Sequence, residues 1–125
     1  MKTSQDPRHL KRESIVKELF TWSFTDTYKL QTEEAKEITE ALNKIDKEIE
    51  TGAPSWPINQ INRIDLAILR LAVFELIIVK DTPFKVVVDE AVEMAKKYGA
   101  ETSPSFINGV LGNIITAHKL DKKKK

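Results

Sequence analysis

Hydrophobic residues recur at helical spacing through most of the chain. Asp6-Pro7 pairs a capping residue with proline at a first helical position, and Ile15, Val16, Leu19, Phe20 and Trp22 carry the predicted helix to about Phe24. Its first turn has no apolar stripe beyond Leu10, so that turn is expected to overhang the body and present Arg8 and Arg12 beside it. Thr32 caps a second predicted helix through Glu50, with Ala35, Ile38, Leu42, Ile45 and Ile49 inward and Gly52 past its end. Gly52 to Pro57 is a breaker cluster, too short and too apolar for a linker between domains. From Ile58 or Asn59 to Val79 the pattern starts amphipathic and becomes apolar nearly all round, which suits the central helix of a bundle.

Asp81-Thr82-Pro83 starts a fourth predicted helix that ends at Gly99, with Val88, Ala91, Val92, Ala95 and Tyr98 as its buried face. Ser103-Pro104 repeats the start signal. Phe106, Ile107, Val110, Leu111, Ile114 and Ile115 follow at helical spacing, which rejects a hairpin at Asn108-Gly109. Val86 to Val88 lie inside a helical frame, so no strand signal survives. The pattern predicts an all-α fold: a compact bundle of about five or more helices, forming one domain over 1–125 with 1–5 and 121–125 as flexible ends.

Composition narrows the function classes. The absence of cysteine removes disulfides, thiolate metal sites and cysteine nucleophiles, and fits a reducing compartment. The N-terminus has no apolar stretch suited to export, so a cytoplasmic location is expected. Leu66 to Val79, interrupted by Arg70 and Glu75, falls short of the roughly 20 apolar residues that span a bilayer, and no membrane association is expected. His9 and His118 lie near opposite ends of the chain, there is no Gly-rich phosphate loop, and no nucleophile stands beside a histidine in a known motif. Asp89, Glu90 and Glu93 lack a histidine or a second carboxylate helix. No catalysis, metal or cofactor is expected.

The net charge of +1 hides an uneven distribution: residues 2–17 sum to +3, residues 119–125 to +4, and the middle to −6. Basic ends on an acidic body point to a local anionic partner or to two solvated termini.

Four segments resemble the NusB family in order and spacing: Arg63-Ile64-Asp65 through Arg70 to Leu76, Pro83 to Ala91, Ala95 to Gly99, and Ser103 to Leu111. The resemblance is strong over about 58–115 and weaker over 8–24. It implies an all-helical antitermination factor that binds the single-stranded boxA element of ribosomal RNA transcripts, together with a NusE-type ribosomal small-subunit protein, on the RNA polymerase elongation complex. The family's arginine-rich first turn corresponds here to Arg8-His9-Leu10-Lys11-Arg12, thinner in arginine, and its aromatic at the head of the last helix to Phe106. The span from Phe24 to Pro57 is shorter than in relatives, which implies one helix fewer there. Two other readings remain: an interaction module of the same fold with RNA binding lost, and a stand-alone relative of the NusB-like domain of RNA methyltransferases.

Single-stranded RNA needs cations along its phosphates and planar side chains beneath unstacked bases. Arg8, Lys11 and Arg12 are the candidate cations, His9 is a candidate donor or stacking ring, and Phe106 is either a base platform or a core residue. Lys122 to Lys125 supply only diffuse attraction. Asn108 and Gly109 read as a helix-packing contact that allows close backbone approach. Arg70 and Glu75 must pair or reach the surface, since an unpaired buried charge is costly. They form a structural pair, or Glu75 with the adjoining Phe20 faces a partner protein.

Overall fold

Asp6 caps the first helix as its place before Pro7 predicts. Its carboxylate accepts the Arg8 backbone N–H at 2.8 Å, and α1 runs Pro7–Phe24. The computed structural model describes residues 6–122, among which the chain forms six α-helices and no strand. Of the ends expected to be flexible, 1–5 and 121–125, residues 1–5 and 123–125 lie outside the described residues. Leu120–Lys122 form a 3-10 turn.

The helix predicted from Thr32 to Glu50 is two helices, α2 (Glu33–Glu40) and α3 (Leu42–Gly52). Thr32 caps α2 by accepting the Ala35 N–H at 3.1 Å. At Ala41 the backbone departs from helical geometry, with φ −101° and ψ 19°. The Thr39 hydroxyl bonds back to the Lys36 carbonyl just before the break, a contact that competes with the helical ladder.

The helix predicted from Ile58 to Val79 is also divided. A 3-10 turn covers Ile58–Gln60, and Asn62 then caps α4 (Arg63–Val73) by accepting the Ile64 N–H at 2.9 Å. After Val73 the helix widens into a π-helical segment, Phe74–Val79. It closes with the Lys80 N–H donating to the Glu75 carbonyl at 2.9 Å, and Lys80 takes the left-handed conformation at φ 62°.

The fourth and fifth predicted helices are α5 (Phe84–Tyr98) and α6 (Ser103–Ala117). The inward face of α5 is rotated from the predicted one. Val87, Ala91, Met94 and Ala95 are buried, whereas Val88, Val92 and Tyr98 are half-buried, and Glu90 is buried through its hydrogen bond with His9 on α1. In α6 the cap is Thr102 rather than Ser103, whose hydroxyl instead accepts the Ala100 N–H at 2.9 Å.

Helix α4 is the centre. Every residue from Asp65 to Phe74 is buried, and the helix packs on α1, α3, α5 and α6. Burying each large aliphatic residue of this core contributes about 1.5 to 3 kcal/mol over leaving it exposed. Gly52 supplies the close helix approach that the sequence reading assigned to Gly109. A Cβ at Gly52 would lie 2.8 Å from the Val110 carbonyl oxygen on α6, whereas one at Gly109 or Gly112 would meet nothing within 4 Å. Asn108 and Gly109 are exposed on the outer face of α6, while Ile107 and Val110 beside them are buried.

Helices α1 and α4 run antiparallel: Arg12 meets Glu75 at one end, and Arg63 donates to the Ser23 carbonyl at the other. Ser103, at the head of α6, hydrogen-bonds Asp65 in the first turn of α4. The bundle therefore has a basic end near Arg12 and Glu75 and an opposite end near Asp65 and Phe106. Ten helical residues, ~15 Å, separate Asp65 from Glu75.

Candidate nucleic-acid interface

The first turn of α1 overhangs only in part: Leu10 is half exposed and the Arg8 side chain 84% exposed, but His9 is buried and Arg12, expected beside Arg8 on the overhang, is drawn inside. Arg8 bonds the capping carboxylate of Asp6 at 3.2 Å, and that bond holds the Asp6 carboxyl below its ordinary range. Lys11 reaches Glu34 on α2 at 3.0 Å and lowers that carboxyl in the same way. Both are surface pairs, which contribute little to stability and exchange readily for another anion.

The other two candidates of this turn are engaged inside the protein. Arg12 makes a two-pronged contact with Glu75, Nε to Oε2 at 2.8 Å and Nη2 to Oε1 at 2.7 Å, with its side chain only 14% exposed. Its hydrogen bonds to Glu75 hold the guanidinium still more firmly protonated. His9 is buried between two carboxylates, Nδ1 at 2.7 Å from Glu90 and Nε2 at 3.0 Å from Glu13. Lys97 on α5 reaches the same Glu13 oxygen at 3.0 Å. Burial pushes the Glu13 carboxyl up, but the hydrogen bond and charge of Lys97 outweigh it and leave the group below its ordinary value.

Arg70 and Glu75 do not pair with each other. Arg70 grips Asp46 on α3 at 3.0 and 2.9 Å, while Glu75 takes Arg12. Phe20 does not adjoin Glu75 either: it stands two turns, ~12 Å, further along α1 than Arg12. There it packs on the core and meets Phe24 edge-on at 4.9 Å between ring centroids.

Phe106 is half-buried at the opposite end of the bundle from Arg8 and Lys11. One part packs on the core and another meets Trp56 edge-on at 6.2 Å, Trp56 itself being 50% exposed. The structure thus brings Arg8, Lys11 and Arg12 to one end and sets Phe106 at the other.

Trp56, Arg63 and Tyr98 have no functional role in the sequence reading, yet each makes an aromatic or cation contact. Trp56 lies in the breaker loop, and its signal was a tryptophan between two prolines, where no helix could bury it. Arg63 stacks its guanidinium over the Phe24 ring at 4.5 Å. Tyr98 lies beneath Lys17 and Lys97, 5.6 and 5.3 Å from its centroid. Nearby, Asp65 is buried with no hydrogen-bond partner at its Oδ1; burial pushes its carboxyl up, partly offset by the Ser103 hydroxyl. Among the described residues, no His, Cys, Asp or Glu cluster is arranged to hold a metal ion, and no helix is long and apolar enough to cross a membrane.

The model of the NusB family matches residues 23–116. The transcription antitermination protein NusB of Clostridium novyi (strain NT) is 52% identical over 73 residues, 58% of this chain and 55% of that protein. The chain spans about half the length of this relative and of that from Chloroflexus aggregans, where the share is 54%. The NusB protein of Alkaliphilus oremlandii (strain OhILAs) is 39% identical over 127 residues, covering 86% of this chain and 92% of that one. The solved structure of T. maritima NusB superposes with a TM-score of 0.79 at 33% identity, over 98% of this chain and all of the other. A chain in the crystal structure of a plectonemic RNA supercoil gives 0.75 at 25% identity, over 90% of this chain and 96% of that one. The six-helix bundle and the long match along its sequence agree, and the chain belongs to the NusB family.

Proposed function

We propose that this protein is a transcription antitermination factor that binds boxA-type single-stranded RNA through the first turn of α1, with a NusE-type ribosomal protein as companion on the elongating RNA polymerase. The observation that carries the RNA part is the exposure of Arg8 and Lys11, whose charges are matched only by surface carboxylates. A phosphate exchanges with such a partner at little cost, whereas Arg12 is too firmly held by Glu75 to be released. Arg12 and His9 then act from inside, fixing the turn that carries the two free-ended cations. The RNA named in the supercoil crystal and the antitermination named for the relatives support this reading.

The test is a titration of a boxA-like RNA and a scrambled control, with and without the ribosomal protein. Tighter binding of the boxA-like strand is expected. An Arg8→Ala, Lys11→Ala variant should bind it about tenfold more weakly and lower the salt slope by about 1.4, two contacts at about 0.7 each. Unchanged affinity and slope in that variant would falsify the assignment. Failure of the unsubstituted protein to bind either RNA would favour the reading in which the same fold serves only protein contact, which the inward commitment of Arg12 and His9 also fits.

A further inference from the structure

A cleft of about 660 Å³ opens between the end of α1 and the start of α4, on the far side of the bundle from Arg8 and Lys11. Its inner wall is apolar, with Ile61 and Leu66 buried and Leu42 and Ile58 half-buried. Its rim is aromatic and cationic. Phe24 is 60% exposed there, a bulky apolar ring only partly covered by Phe20 and Arg63. The guanidinium of Arg63 lies over that ring and is steadied by donating to the Ser23 carbonyl.

Arg63 is unlike the other arginines. Arg8, Arg12 and Arg70 each have a carboxylate partner, on Asp6, Glu75 and Asp46. Among the described residues, no carboxylate pairs with Arg63. A guanidinium has five N–H donors, so the bond to Ser23 leaves most of its fork unused. Stacking on Phe24 removes much of the rotamer freedom that binding would otherwise cost. Trp22 lines the same cleft, with the Arg70 guanidinium 6.0 Å from its ring.

We infer that this cleft binds a nucleotide, its base against the aromatic and aliphatic wall and its phosphate on Arg63. A planar ring carrying an anion is the ligand that uses both halves of the site, since a bare anion would leave the apolar wall wet and a neutral ring would leave the arginine fork unused. The cleft volume lies within the range of small-molecule sites. Asp26 and Asn59 stand on the rim as well. Asp26 repels a phosphate from its own side and offers an acceptor to a base amine or a ribose hydroxyl. The inference extends the RNA reading to a second site; a nucleotide within an RNA strand and a free one share this chemistry, and the test separates them.

The test follows the Trp22 indole N–H and the Arg63 Nε–H by NMR in the isotope-labelled full chain. A nucleoside monophosphate, the matching nucleoside, inorganic phosphate, a single-stranded RNA and a short peptide ending in phenylalanine are titrated separately. The monophosphate should move both signals and bind more tightly than nucleoside or phosphate alone. An RNA that also moves them assigns the site to a strand; movement by the monophosphate alone assigns it to a free nucleotide. Arg63→Met should weaken monophosphate binding about tenfold or more. Phe24→Leu, at an exposed site where folding is not in question, should also weaken it, while Arg8→Ala with Lys11→Ala should not. The inference fails if neither monophosphate nor RNA moves these signals, if phosphate alone binds as tightly as the nucleotide, or if only the peptide binds. RNA that binds through Arg8 and Lys11 without moving Trp22 or Arg63 overturns the cleft and leaves the first reading standing.

Discussion

The two ends of the bundle use cations in opposite ways. At the basic end, sequence supplies a dense run, Arg8 to Arg12, yet the fold turns Arg12 and His9 inward to Glu75, Glu13 and Glu90. At the other end Arg63 enters the sequence reading only as part of a family-like segment, and the fold leaves it stacked, steadied and, among the described residues, without a carboxylate. Charge density along a chain therefore predicts where cations gather and not which of them a ligand can reach. That depends on the partners each guanidinium acquires once the helices pack.

The comparison is broken most severely by removing Glu75. If Arg12 serves structure, Glu75→Ala strands a largely buried guanidinium and should cost about 3 kcal/mol in denaturant unfolding. A loss near zero would return Arg12 to the surface cations. Next in size is the contrast between Gly52 of α3, packed on α6, and the glycines of α6 itself. Gly52→Ala drives a Cβ into the Val110 carbonyl and should cost about 2 kcal/mol, whereas Gly109→Ala and Gly112→Ala, in open space, should each gain about 0.5 to 1 kcal/mol from helix propensity.

A smaller effect separates the buried carboxylates from the surface ones. Glu13 has a lowered native pKa, so its contribution is present above its unfolded value of about 4.5 and is lost as pH falls through the lower native value. Lys97→Met removes the group that outweighs burial. The melting temperature of the variant should fall below that of the parent at neutral pH, and the gap should close in acid. A gap independent of pH would show that Lys97 acts through packing. The smallest effect belongs to Arg8→Ala, which should leave the thermal midpoint where it is, because both the side chain and its pair with Asp6 face water.

Helix starts were legible because they depend on neighbours in sequence: Asp6, Thr32 and the prolines at 7 and 104 mark ends that the structure keeps. The two interior breaks were harder. Asn62 is a recognisable cap inside an apolar-periodic run, but Ala41 is a strong helix former, and nothing local marks it. The face of α5 was misread because periodicity counts apolar residues, and Glu90 is buried through a partner 81 positions away. The candidate site divided along the same line. The exposure of Arg8, Leu10 and Lys11 follows from a missing apolar stripe, whereas Arg12 with Glu75, Arg70 with Asp46 and the cleft beside Arg63 depend on which helices meet.

The wide turn at Phe74–Val79 also bears on how positions are carried between relatives. A π-helical turn holds one residue more than the α-helical turn it replaces, so it phases everything after it as an insertion would. Numbering transferred straight through Glu75 from a homologue whose helix stays α-helical there slips by one place at Lys80. An alignment that respects three-dimensional equivalence opens a single-residue gap inside this helix and leaves the loops on either side intact.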